Sequence, residues 1–308
     1  MNKSNNTISS KNLVLFTPLF SFNSDFQEIK LNDNLLICHP SFDELNVYEQ
    51  DALLDIFQYS SISLPTFVIR SNILTPISSN SLYESQTAQW NCLKALRLLK
   101  SENIVIGTQY LCSLSPFGLV TVLTRYRNTI YGDESNIYVL RYNEIDRFNE
   151  IYNAINNINS KNLLWLNSAI NRFYFSFQQG LLNSPIDITI GLEALYLAND
   201  TELSYKLAMR AAYLLGNTSE EINDIYSLIT SAYKVRSKLV HGMNIKDEIK
   251  LKSGDSISIT DLMQNTRNIL RESILKFLDL SKRFTHEQLT SSLLDDNILS
   301  QGQILNHH

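Results

Sequence analysis

The segment Tyr233-Lys234-Val235-Arg236-Ser237-Lys238-Leu239-Val240-His241-Gly242 sets an arginine and a histidine with four residues between them and closes on a glycine. Arginine keeps its charge at any physiological pH and matches phosphate oxygens in geometry, whereas histidine takes up and releases protons near neutrality. Such a pair is a minimum for cleaving a phosphodiester without a metal: one group moves the proton, the other stabilises the charge that builds on phosphate. No other segment of the chain sets the two at this spacing.

The remaining reactive side chains point elsewhere. Cys38, Cys92 and Cys112 are odd in number and widely spaced, which fits neither a disulfide framework nor a thiolate metal site and reads as reduced cytosolic thiols. His286-Glu287-Gln288 lacks the second histidine of a zinc-protease helix, and His39 beside Pro40 reads as a loop residue. His307 and His308 end a polar tail and take no role. With no Gly-rich phosphate loop, nucleophile elbow or Cys-x2-Cys pair, the expectation is no metal and no cofactor.

The elements that must position Arg236 and His241 can be read from hydrophobic period. A chain of 308 residues with 44% hydrophobic content has the bulk for two cores of ordinary size. Its formal charge of -5 excludes a surface that is wholly a nucleic-acid footprint and leaves room for a local basic patch. The run Leu13-Val14-Leu15-Phe16 is interrupted by Thr17 and Pro18 without a cleavage site, so no signal peptide is expected. No apolar stretch of about 20 residues suggests a membrane span. A cytoplasmic protein is the expectation.

The first half, residues 1–143, reads as α+β. Strands are predicted at Leu13 to Phe16, at Phe26 to Leu31 paired across Asn32-Asp33-Asn34 with Leu35 to Cys38, and at Leu64 to Arg70. Leu119 to Tyr126 and Asn136 to Tyr142 are predicted to form a hairpin around Gly132-Asp133. Helices are predicted at about Glu44 to Tyr59 and Ser85 to Lys100. From Glu144 strand signals give way to helical period, and residues 144–282 read as an all-α bundle. Its helices are expected at Glu144 to Asn159, Leu163 to Gln179, Pro185 to Ala198, Glu202 to Leu215, Ser219 to His241 and Ile259 to Lys282. Residues 283–308 form a tail with a short helix expected at Glu287 to Leu299.

Thr218 followed by Glu221 is a capping box, and Gly242 stands where a helix commonly closes on a left-handed residue. The apolar stripe of that helix runs through Ile222, Ile225, Tyr226, Ile229, Ala232 and Tyr233 to Leu239 and Val240, and Arg236 falls in its gap. A cation there is partly desolvated and needs a partner. Glu193, an ion among the apolar neighbours Ile190-Gly191-Leu192 and Ala194-Leu195-Tyr196, is the expected one. Five steps of about 100° put His241 about 140° around the helix from Arg236, so one ideal helix does not aim both at one point.

The block from Tyr233 to Gly242, preceded by Gly191-Leu192-Glu193-Ala194-Leu195 and by Leu207-Ala208-Met209-Arg210-Ala211-Ala212, resembles a HEPN domain, most closely the Apea-like HEPN branch. Ser237 follows the arginine where many HEPN nucleases carry Asn, Asp or His. The resemblance implies a helical domain that forms a homodimer, or a higher oligomer, in which two Arg/His motifs share one cleft. It implies metal-independent cleavage of RNA by 2′-OH attack, in toxin or anti-phage defence settings, with an antitoxin or a phage-derived trigger as candidate partner. In that setting Arg236 and His241 are the catalytic candidates, Glu193, Ser237 and Tyr233 the supporting ones, and Lys234, Lys238, Arg210 and Lys206 the candidate RNA contacts. Two other uses of the same residues compete. Arg236 and Glu193 could form a structural ion pair with His241 only capping a helix; or the domain could be a catalytically inactive HEPN module that binds RNA or protein and builds an oligomer.

Overall fold

A computed structural model describes residues 12–54, 64–73, 79–101, 104–114, 120–126, 137–158, 163–177, 184–197, 203–251 and 254–292. The expected turn at Gly132-Asp133, the helix end at Tyr59 and residues 293–308 with His307 and His308 lie outside them. The chain divides into two compact units, Met1–Asn153 and Ala154–His308.

The first unit is an antiparallel sheet with helices. Its strands are β1 (Asn12–Phe20), β2 (Phe22–Ser24), β3 (Glu28–Lys30), β4 (Leu35–Cys38), β5 (Phe67–Ile73), β6 (Val105–Ile106), β7 (Gln109–Leu114), β8 (Val120–Tyr126) and β9 (Tyr138–Leu140); its helices are α1 (Phe42–Leu54), α2 (Ser79–Leu99) and the start of α3 (Ile145–Asn156). The main sheet runs β3-β4-β5-β1-β7-β8, with β6 also paired to β1. β1 is central and apolar on both faces, as its uninterrupted hydrophobic run requires. Val14 and Phe16 pack with Val47 of α1, while Leu13 and Leu15 pack with Leu82 of α2.

Pro18 does not end β1, although a proline donates nothing to a ladder. Its carbonyl accepts from Gly107 N at 3.0 Å, so its missing N–H faces the joint between β6 and β7, where no ladder bond is needed. The expected hairpin of the fifth and sixth predicted strands is not formed. β8 pairs with β7, and β9 runs parallel to β2. β7 itself was not expected, and neither were the short strands β2 and β6.

The second unit holds α4 (Leu164–Phe175), α5 (Ser184–Tyr196), α6 (Leu203–Leu215), α7 (Ser219–Val240), α8 (Ile259–Leu280) and α9 (His286–Ser292). α5 packs against α4, α6, α7 and α8, and α8 against α4, α5, α6 and α7, so these two form the centre. That is why α5 is apolar nearly all round, with Ile188, Leu192, Leu195 and Tyr196 fully buried. Gly191 permits the α5–α8 approach: a Cβ there would lie 2.8 Å from Leu270 Cδ2. The Tyr196 hydroxyl bonds Ser273 Oγ across the same contact at 2.7 Å.

In this unit the helix bounds agree with the sequence reading to within about a turn where the predicted ends are described, whereas in the first unit α2 begins at Ser79, well before the expected Ser85. The helical half is not free of strands, however. A hairpin of β10 (Glu248–Lys250) and β11 (Ser256–Ser258) connects α7 to α8, turning near Gly254 at φ +98. Its alternation of Ile249 and Ile257 with polar neighbours is too short to stand out from loop composition. Among the described residues no helix is long and apolar enough to cross a membrane.

Candidate functional site at the end of helix α7

Both ends of α7 are set by local chemistry. At the start, Thr218 Oγ1 accepts from Glu221 N at 3.2 Å, while the Glu221 carboxylate reaches back to Asn217 N at 2.7 Å rather than to Thr218 alone. These backbone donors hold the Glu221 pKa below the usual carboxylate range. At the other end, Gly242 takes the left-handed conformation at φ +66. Gly242 N then bonds Leu239 O at 3.0 Å and Met243 N bonds Lys238 O at 2.9 Å, which is the Schellman pattern. His241 is thereby the C-cap residue, with φ -90 and ψ 9, and its N–H bonds Ser237 O at 3.2 Å.

This closure fixes the backbone of His241 without burying its ring, which is exposed. Val240 and Met243 on either side are exposed as well, at 54% and 59%. The expected apolar stripe therefore stops short of Val240: the buried residues of α7 are Ser227, Ile229, Ser231, Ala232 and Val235. Ser237 is half-buried, and Lys234 and Lys238 are exposed.

Arg236 is half-buried, as its place in the stripe predicts, but no ion pair joins it to its expected partner Glu193. Among the described residues the guanidinium has no ion pair, and its Nε is buried without a hydrogen-bond partner. It lies instead over the ring of Tyr233, with Cζ 5.7 Å from the centroid. Such a cation–π contact is worth about 0.5–1 kcal/mol at a partly exposed site. Glu193 engages the Tyr233 hydroxyl. Burial first, then the charge and hydrogen bonding of Glu193, push the Tyr233 pKa up, and the charge of Arg236 opposes them. The Arg236–Glu193 ion pair is thus replaced by a relay through a phenol, which a two-residue reading of charges could not reveal.

Arg210 is not a surface contact for RNA. It is 3% exposed and donates from its guanidinium to the carbonyl of Tyr196. Helical geometry accounts for this: Arg210 follows Leu207 by three residues and lies between the fully buried pairs Leu207-Ala208 and Ala211-Ala212 on the core face of α6. Lys206 is half-buried on the same helix. His286 is also committed within the bundle, its ring stacked on Trp165 at 4.4 Å and its Nε2 bonded to Leu195 O at 3.0 Å. Of the nine site candidates, α7 and α5 gather Arg236, Tyr233 and Glu193, while His241, Lys234 and Lys238 stand open at or near the helix end.

The arrangement can hold an anion at a half-buried cation that nothing in the described chain neutralises, with an imidazole one turn further on. Comparison with protein-family models, with curated proteins and with solved structures gives no match.

Proposed function

We propose that this chain is a metal-independent endoribonuclease of HEPN type that works as a homodimer with a shared cleft, in toxin or anti-phage defence. The observation that carries the reading is the Arg236 guanidinium, half-buried, without an ion pair among the described residues and with an orphan Nε. Leaving a buried polar nitrogen unsatisfied costs about 1–3 kcal/mol. A phosphate oxygen removes that cost through a charge-assisted bond. The exposed apolar side chains of Val240 and Met243 beside His241 suit coverage by a second subunit, which also meets the angular separation of Arg236 and His241 around the helix.

In this mechanism His241 takes the proton from a ribose 2′-OH, whose oxygen attacks the adjacent phosphorus. Arg236 stabilises the charge on the non-bridging oxygens, the bond to the 5′-oxygen breaks, and His241 of the partner subunit returns a proton to that oxygen. The products carry 2′,3′-cyclic phosphate and 5′-hydroxyl ends. Lys234 and Lys238, exposed on α7, steady the RNA backbone.

The test is incubation with total cellular RNA in EDTA, with mapping of the cut ends. Wild type is expected to leave cyclic phosphates, and His241→Ala and Arg236→Ala each to lose about 10²- to 10⁴-fold in rate. Equal cutting by wild type and His241→Ala overturns the assignment. A second reading, an inactive HEPN module for RNA or protein binding and oligomer assembly, is favoured by Ser237 after the arginine and by the open position of His241. It predicts binding without cleavage, and no toxicity on overexpression.

A further inference from the structure

Tyr233 stands between two opposite charges that do not meet. It precedes Arg236 by three residues, which puts both on one face of α7, and the guanidinium lies 5.7 Å above its ring. From the facing helix α5, Glu193 engages the hydroxyl of the same side chain. An arginine and a carboxylate on packed helices ordinarily form a charge-assisted pair, which is stronger than a bond from either to a neutral phenol. Here they do not, and Arg236 keeps an unsatisfied Nε.

We infer that Tyr233 is a positioning residue: its hydroxyl holds the Glu193 carboxylate and its ring face holds the Arg236 guanidinium, so that the cation stays open to a phosphate. The hydroxyl can do this only while it carries its proton. Burial and the charge of Glu193 raise its pKa, so it remains a donor throughout the neutral range. Tyr233→Phe keeps the ring and removes the donor. Glu193 then turns to Arg236 and neutralises it. The inference rests on the ribonuclease reading only in naming RNA as the source of the phosphate.

Two measurements on the full chain test it. In the first, Glu193→Gln and Arg236→Gln are combined in a cycle read by urea unfolding. With Tyr233 present the two changes multiply to within about twofold in the unfolding constant; in the Tyr233→Phe background they depart by about fivefold or more, as contacting charges do. In the second, binding of a short single-stranded RNA blocked by 2′-O-methyl groups is followed by anisotropy in EDTA. Tyr233→Phe weakens binding about tenfold, and adding Glu193→Gln restores it. Independent unfolding effects in the Tyr233→Phe background overturn the proposal. A double variant as weak as Tyr233→Phe alone also overturns it, because the phenol then touches RNA itself. If the coupling arises but the wild-type protein neither binds nor cuts RNA, the role of Tyr233 stands and the ribonuclease reading falls.

Discussion

Arg210 and Lys238 are both cations near the candidate site in sequence, and their environments separate their roles. Arg210 is inside the bundle, bonded to Tyr196 O, whereas Lys238 is in solvent on α7. Replacing Arg210 by Met leaves a carbonyl without its donor, so a stability loss of about 1–3 kcal/mol is expected in urea unfolding. The salt dependence of RNA binding should not change. Lys238→Gln should do the reverse, leaving stability near wild type and lowering the slope of log affinity against log salt by about 1. A slope change with Arg210→Met would restore it as a phosphate contact. Part of this was legible beforehand, since Arg210 is three residues from Leu207 on an apolar face. The Tyr233 relay was not, because it joins three side chains on two helices and only packing brings them together.

At the scale of elements, local signals were read well, including the β3–β4 hairpin across Asn32-Asp33-Asn34, and the pairing of β8 and β9 was not. Thr218, Glu221 and Gly242 mark the ends of α7 because caps answer to bonds a few residues away. The partner of β9 is β2, far off in sequence, and β8 pairs with β7 just upstream, a strand that had not been anticipated, so strand composition alone misassigned β8 and β9 as a hairpin. Pro18 was misread for the same reason, since its cost vanishes only where β1 changes partner from β7 to β6. The cap of α7 can be tested by itself. Nothing lies within 4 Å of a Cβ built on Gly242, so Gly242→Ala meets only the left-handed backbone penalty, about 1–2 kcal/mol. Gly242→Asn should cost less, because asparagine tolerates that conformation. Thermal unfolding of both variants checks the order. RNA cleavage should fall more for Ala than for Asn, because the same turn fixes the backbone of His241.

For the whole molecule, the division into two units gives each its own polar cluster, buried in the first and half-buried in the second, and its own tryptophan. In the first unit, Gln89 of α2 accepts from Thr17 at 2.7 Å and from Gln109 at 2.8 Å and donates to Leu15 O at 2.8 Å, and Trp90 is its neighbour. In the second, His286 stacks on Trp165 of α4. The existence of two cores followed from length and from the change of hydrophobic period, but neither polar centre did, since glutamine and histidine on apolar faces have no periodic signature. Burial lowers the His286 pKa from 6.5, the charge of Arg210 adds to the lowering, and the bond to Leu195 O opposes it. The unfolded chain therefore takes up this proton at higher pH than the folded one. The stability tied to neutral His286 is complete above pH 6.5, is lost as pH falls below it, and stops changing once the folded imidazole also protonates. Urea unfolding followed at Trp165 in a Trp90→Phe variant should accordingly lose midpoint between about pH 8 and about pH 5, and His286→Gln should shrink that loss. Arg210→Met should shrink it too, by removing the charge that disfavours protonation. Followed at Trp90 in a Trp165→Phe variant, which keeps a ring in the stack, the transition should not respond to His286→Gln, because domains unfold as units. An equal response at both tryptophans would show instead that the two cores unfold as one.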